Sequence, residues 1–414
     1  MRLSASSGAT IDLDQVDLAD PSLYSDGDPH AVWRILRDRD PVRWQSVPGR
    51  GGFWSVTRYA DSRRVMLDHR TFSSTGGVFL NLLGQGEPAQ GQQFASADPP
   101  RHTQMRSPVQ HRMTAAAFAP HLEATRDAVG EMLADGLDGR PFDLAAALAP
   151  LPMVALGPLL GIPRADWPQL MRLVMMSVAE EDPDYRLPEG AQATLDRARR
   201  ELFAYLIDLL LAQVRRPQDN VISALRTVVV DGRPLRPGSI VANVYSILLG
   251  AAAAIPHVPV AALLEPATTR HFRECGEDPD AVGPLVEEAL RWSAPAQHFM
   301  RIATRPTTLG PANVLAGQAV VVWLGSANRD GRAFERASEF DSRRTPNHHL
   351  AFGFGRHYCV GNNIARLVLR EVFRAVFDRF SGVEPAGDVE HIRSTWLAGF
   401  KRAPVVATPR RAGR

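Results

Sequence analysis

Phe352-Gly353-Phe354-Gly355-Arg356-His357-Tyr358-Cys359-Val360-Gly361 sets one thiol among three glycines, and Asn362 to Val376 follows in a helical pattern. That order places the thiol on a tight loop at a helix start. Glycine tolerates positive φ and lets a flat ligand come close to the backbone. A helix N-terminus and the surrounding amides favour a thiolate over a thiol. An isolated cysteine is more often plain buried packing, and Cys275, in Arg273-Glu274-Cys275-Gly276, is read that way. Around Cys359 the spacing of glycine, histidine and cysteine is too particular for packing alone and points to a ligand site.

Working outward, Phe53-Trp54-Ser55-Val56-Thr57 alternates behind Gly51-Gly52 and predicts a strand. Pro120 to Leu137, Arg197 to Arg215 and Ile240 to Leu249 carry apolar residues at three-to-four spacing and predict helices. Short strands return at Val228 to Val230 and Ala319 to Trp323. The fold class is therefore mainly α with a small β portion. The β pieces come from both ends of the chain and pair only if those ends meet, so one large domain over residues 1–414 is expected, with 1–20 a poorly ordered N-terminus.

Composition narrows the function. The 414 residues hold 47 Lys+Arg against 45 Asp+Glu, a formal charge of +2 that gives no electrostatic reason to expect nucleic acid or an anionic membrane as partner. Lys401 is the only lysine, a bias resembling GC-rich coding more than a binding surface. Two cysteines make no disulfide framework, so a reducing cytoplasm is the expected location. The first 15 residues show no apolar signal region. The most apolar stretch, Ile247 to Ile255, falls well short of the ~20 residues a membrane span needs.

The loop Phe-Gly-x-Gly-x-His-x-Cys-x-Gly resembles the haem-binding loop of the cytochromes P450, and the resemblance runs over nearly the whole chain, from Phe53 to Val405. It implies the cytochrome P450 fold, a haem b (iron protoporphyrin IX) cofactor, and Cys359 as the metal ligand, whose thiolate favours O–O cleavage. Phe352, Gly353 and Gly361 would complete the loop's side of the cofactor site. Glu288-Ala289-Leu290-Arg291 is similar to the family's Glu-x-x-Arg helix, with Arg344 as third partner. By itself such a pair is usually a solvated i, i+3 contact of little value. Within Asp98-Pro99-Pro100-Arg101-His102-Thr103-Gln104-Met105-Arg106, the resemblance assigns haem propionate contacts to His102 and Arg106, which share one helix face. Arg301 and His357 join them on the same ground, and Pro108 is expected to bend or shorten that helix.

One departure stands out. Monooxygenases of the family carry an acid–alcohol pair that delivers protons during oxygen activation. The matching stretch here is Gly250-Ala251-Ala252-Ala253-Ala254-Ile255-Pro256-His257. Ala253 and Ala254 fall at the acid and alcohol positions, and sliding the alignment to Ala252/Ala253 or Ala254/Ile255 restores no donor. Pro256 predicts a kink, leaving the Ala252 carbonyl without its usual partner. His257, one turn from Ala253, is a candidate surrogate donor, set against the commoner outcome of a local hydrogen bond.

Three readings follow. The first is a haem-thiolate oxidoreductase that hydroxylates or epoxidises a bulky apolar small molecule of secondary metabolism, with atypical proton delivery. The second is a non-hydroxylating P450 that performs oxidative coupling, ring closure, desaturation or peroxide-driven turnover. The third is a non-catalytic haem-binding protein. The pocket walls implied by the resemblance are Gly76 to Leu83, Leu249 to Ala253, Ala296 to Met300 and Trp396-Leu397, with Met175 and Met176 as roof, set against the commoner outcome of plain core packing. No reductase segment lies within the sequence, so a ferredoxin and a ferredoxin reductase are the expected electron donors.

Overall fold

The two ends of the chain do meet. The computed structural model describes residues 11–252, 254–266, 272–275 and 278–410. Strand Gly51–Val56 pairs antiparallel with Val42–Val47, placing Trp44 opposite Trp54, and on its other edge pairs parallel with Ala319–Trp323. His298–Ala303 and Phe72–Ser73 complete a five-stranded sheet, the last two partners both antiparallel. All five residues of Ala319–Trp323 are buried, as a central strand covered on both faces requires. A second sheet joins Phe380–Pro385, Pro404–Pro409 and Pro141–Asp143.

Helices supply most of the rest, as expected, though some boundaries differ. Ala191–Arg215 starts before the predicted helix and ends with it. Pro237–Ala252 runs past the predicted helix at both ends. The stretch read as one helix from Pro120 to Leu137 is instead Leu122–Met132 flanked by short 3-10 turns. Helix Arg101–Arg112 carries Pro108 in its interior and continues four residues beyond it. Of the first 20 residues, 11–20 are held against the body rather than loose. Leu18 is buried, and its carbonyl accepts from the Tyr24 hydroxyl at 2.8 Å. Residues 1–10 lie outside those described.

Helix Asn362–Arg379 buries Ile364, Ala365, Val368, Leu369, Val372, Phe373, Val376 and Phe377, an apolar face at 3.6-residue spacing. That face locks the helix into the main hydrophobic cluster together with Val282–Ser293 and Leu122–Met132. The loop immediately before it, carrying Cys359, is thereby fixed from its C-terminal side.

Candidate active site

The Cys loop folds back on itself. The Cys359 amide donates to the Phe352 carbonyl at 2.8 Å, and the Cys359 carbonyl accepts from the Asn362 side chain at 2.8 Å. Gly353 and Gly355 both take φ of 72°. A Cβ at Gly355 would stand 2.8 Å from the Met66 carbonyl oxygen, so only glycine lets this turn press against helix Tyr59–Leu67. Burial pushes the Cys359 thiol above its ordinary value, opposed by the Gly361 amide and by the Arg106 and Arg366 guanidiniums. The sequence expectation of amide stabilisation is thus met in kind, but in the protein alone desolvation outweighs it.

Behind the loop lies a buried ion-pair network. Glu288 and Arg291 are fully buried and bonded through two of the three guanidinium nitrogens, Nε and Nη2, at 2.7 Å each. The second carboxylate oxygen, Oε2, also accepts from Arg344 Nε at 3.0 Å and from the Asn347 side chain at 3.1 Å. Oε1 accepts the Asp341 amide at 2.8 Å. Arg291 spends its remaining N–H groups on the carbonyls of Asn328, Ala337 and Glu339. The motif that alone reads as a solvated pair is here a network in which every charge has several partners, the condition for burial to be tolerated.

The neighbouring residue, Glu287, is a contributor the sequence reading missed. It accepts from Arg366 Nε at 2.7 Å and Nη2 at 2.9 Å, and from His349 at 3.2 Å. Burial alone would raise its carboxyl, but these partners outweigh it and hold the group down at about 2. Arg366 in turn lies 4.5 Å over the Phe352 ring and reaches the Tyr358 hydroxyl at 3.4 Å, bracing the loop from the helix side. The available signal was spacing: Arg366 is two turns beyond Cys359, on the helix the loop opens.

Two histidines and two arginines face the loop from the other side. His102 and His357 pack ring against ring at 4.4 Å, and His357 Nε2 meets the Ser74 hydroxyl at 3.1 Å. Arg106 donates from Nη2 to the Tyr358 carbonyl, tying helix Arg101–Arg112 to the loop. Arg301 is 3% exposed, bonds only the Met300 carbonyl at 2.8 Å, and among the described residues has no carboxylate within ion-pair distance. Burial lowers His102 to about 4, Arg301 to about 10, and His357 well below its usual value. Both ring nitrogens of His102 are buried without a hydrogen-bond partner. Four polar side chains therefore converge where, among the described residues, no carboxylate lies within ion-pair distance of them and Asp98 acts only from further away. That deficit fits a cofactor carrying carboxylates, and the adjacent thiol fits one carrying a soft metal centre.

Comparison with known proteins agrees. The family profile described as Cytochrome P450 matches residues 283–407. The putative cytochrome P450 126 of Mycobacterium tuberculosis is 34% identical to this chain, across 95% of it and 97% of the relative. The chain belongs to the cytochrome P450 family. Cytochrome P450 NovI of Streptomyces niveus is 30% identical, over 96% of this chain and 97% of its own length. Among solved structures, P450 OxyD, involved in the biosynthesis of vancomycin-type antibiotics, superposes with a TM-score of 0.82 at 30% identity, covering 95% of this chain and 100% of OxyD. The fold is thus the P450 fold, the protein an oxidase of the P450 type, and its cofactor a haem-thiolate. Among the described residues no helix is long and apolar enough to cross a membrane.

The distal side of this P450 is built differently from its proximal side. Helix Pro237–Ala252 and helix His257–Leu263 are separate, with turn residues 254–256 between them. The amides of Ala254 and Ile255 both reach the Ala251 carbonyl at 3.3 Å. The interruption follows from Pro256, which has no N–H to continue the ladder. Ala254 is half-buried, and Ala253 lies outside the described residues. His257, the candidate surrogate donor, has one ring nitrogen engaged, while its Nε2 is buried without a hydrogen-bond partner among the described residues. Its Nδ1 accepts from the Phe400 amide at 3.2 Å, and burial takes the ring down to about 3. It is a neutral imidazole holding strand Phe400–Arg402, because that backbone amide needs an acceptor.

A cavity of about 380 Å³ opens beyond this helix, lined by Phe79 to Leu83, Leu249, His298 and Trp396, parts of four predicted walls. His298 fastens two of them: its Nε2 accepts from the Leu80 amide at 3.0 Å and its Nδ1 donates to the Thr395 carbonyl at 3.1 Å. Met175 and Met176 are core residues instead, and the roof is Ser177, Val178 and Glu180. The cavity is also less uniformly apolar than expected. Glu87, Glu180 and Arg199 line it with no ion pair among the described residues, and Asn81 donates to Glu180 at 3.1 Å.

Proposed function

We propose that the protein is a P450 monooxygenase of secondary metabolism, acting on a bulky small molecule, with Cys359 as axial ligand to haem b. The observation that carries this reading is the convergence of His102, Arg106, Arg301 and His357 on one face of the Cys359 loop with no carboxylate in ion-pair distance among the described residues. These four would hold the propionates. Phe352, Gly353 and Gly361 would form the loop's side of the cofactor site, and Arg366, pinned by Glu287, holds Phe352 and Tyr358 in place. The haem, when bound, supplies the iron at which dioxygen is activated and substrate oxidised.

What this chain's own residues do on the distal side is shape and exclude rather than titrate. Ala253 and Ala254 offer no proton donor, and His257 is a neutral ring whose Nδ1 accepts the Phe400 amide and whose Nε2 is buried without a partner among the described residues. Proton delivery then falls to a hydroxyl of the bound substrate or to water ordered beside it. The likeness to OxyD supports a substrate from secondary metabolism, and the 380 Å³ cavity lined by Phe79, Leu249 and Trp396 supports a bulky one. Electrons would come from a ferredoxin and its reductase, docking where Arg63 and Arg356 stand exposed beside the loop. A cytoplasmic location is in keeping with two free cysteines. The same broken distal helix also favours, as second reading, a P450 that couples, closes rings or desaturates.

The experiment is reconstituted turnover with ferredoxin, reductase and NADPH over hydroxylated and deoxygenated members of one scaffold. Product formed efficiently only from scaffolds bearing a hydroxyl near the oxidised carbon supports substrate-assisted delivery. Equal coupling for both overturns it, and products lacking a new oxygen select the second reading.

A further inference from the structure

Helix Ala191–Arg215 buries one face and leaves a second apolar stripe in water. Its inner face holds Leu195, Leu202, Leu206, Leu209 and Leu210, and Leu195, Arg199 and Phe203 line the cavity. On the outside, Ile207 is 45% exposed and Leu211 and Val214 are 48% exposed. The described residues contain eight large exposed hydrophobics, and three of them fall on this single helix face. Scattered apolar residues on a surface need no cause, whereas a contiguous stripe does.

The spacing says what kind of surface it is. Exposed Ala204 precedes the three, so the stripe reads 204, 207, 211, 214, the alternating three-and-four step of a helix seam. Laid antiparallel against itself about a two-fold axis, the helix sets Ala204 opposite Val214 and Ile207 opposite Leu211, small against large at each step. The flanking charges agree with that register. Glu201 and Arg215 lie on the same side of the seam, seven residues either side of Asp208, so the two-fold brings each Glu201 to the Arg215 of the other copy, twice per interface. Arg215 has no carboxylate within ion-pair distance among the described residues, while Glu201 shares its charge only with Arg197 at 2.7 Å. Asp208, exposed and without an ion pair among the described residues, falls near the axis and opposes its own copy.

We propose that this helix face is a homodimer interface, occupied by the same helix of a second copy of this chain, with Glu201 and Arg215 setting the register and Asp208 limiting the affinity. Since the opposite side of the helix lines the cavity through Leu195, Arg199 and Phe203, dimerisation would brace that wall.

The test is sedimentation velocity of the full-length, haem-loaded protein over a concentration series. The unaltered protein should show a concentration-dependent dimer. Leu211→Glu should raise the dissociation constant at least about tenfold, while Leu315→Glu, at a separate exposed leucine, leaves it unchanged. Glu201→Arg should weaken the dimer and the double change Glu201→Arg with Arg215→Glu should recover it; Asp208→Asn should tighten it. An unaltered Soret spectrum shows that each variant is folded. A monomer at every concentration, including one that instead floats with anionic phospholipid vesicles, overturns the proposal. So does a dimer that survives Leu211→Glu.

Discussion

The two faces of the cofactor site solve opposite problems. On the proximal side the chain buries charge and satisfies it: Glu288 has four hydrogen-bond partners, and Arg291 is bonded through all its N–H-bearing nitrogens. On the distal side it removes polar groups, with alanines at 251–254 and a proline that interrupts the helix. The proximal arrangement makes a rigid seat, because a buried charge that loses a partner is expensive. The distal stretch offers few fixed donors, so on the proposed reading proton supply would shift toward whatever is bound.

The largest break in this contrast is Cys359→Ala, which should abolish turnover under all electron supplies while the far-ultraviolet circular dichroism stays native. Next, Glu288→Gln should cost about 3–5 kcal/mol of stability, since it strands two buried arginines. Urea unfolding of the purified variant reads this directly, and a cost under about 1 kcal/mol would show the network to be dispensable. On the distal side, Ala253→Asp combined with Ala254→Thr should leave stability near that of the parent. It should raise product formed per NADPH on substrates lacking a hydroxyl, by up to about 10²-fold. No gain in coupling would show that proton delivery is not what this helix lacks.

The sequence made the proximal side legible because its constraints are local. The φ of 72° at Gly353 and Gly355 leaves the loop readable as a string of residue types. The Glu288–Arg291 spacing was visible too, but its value was not, because burial depends on Asn328, Ala337 and Glu339 arriving from elsewhere in the chain. Glu287 and Arg366 were missed for the same reason, lying 79 positions apart. On the distal side Pro256 announced the interruption. The occupation of His257 by the Phe400 amide, 143 residues away, did not show in any local pattern. The charges of Glu87, Glu180 and Arg199 around the cavity likewise come from three separate segments.

Smaller effects sharpen the comparison. Glu287 titrates at about 2 in the folded protein against an ordinary 4.5, so it contributes stability above about pH 5 that is lost as the pH falls toward 2. Glu287→Gln should flatten that part of the stability–pH curve, and an unchanged slope would show that the Arg366 contact carries no weight. His257→Ala should cost about 1 kcal/mol through its lost bond to the Phe400 amide and leave coupling unaltered. A large fall in coupling would restore it as a proton donor.

The central claim is that the sulfur of Cys359, in a loop walled by His102, Arg106, Arg301 and His357, ligates a haem iron as thiolate. Carbon monoxide added to the dithionite-reduced protein tests it most directly. The account predicts the red-shifted Soret band of a thiolate-ligated ferrous complex, lost in Cys359→Ser. A Soret band at the shorter wavelength typical of histidine-ligated haem, or one that Cys359→Ser leaves unmoved, would contradict it.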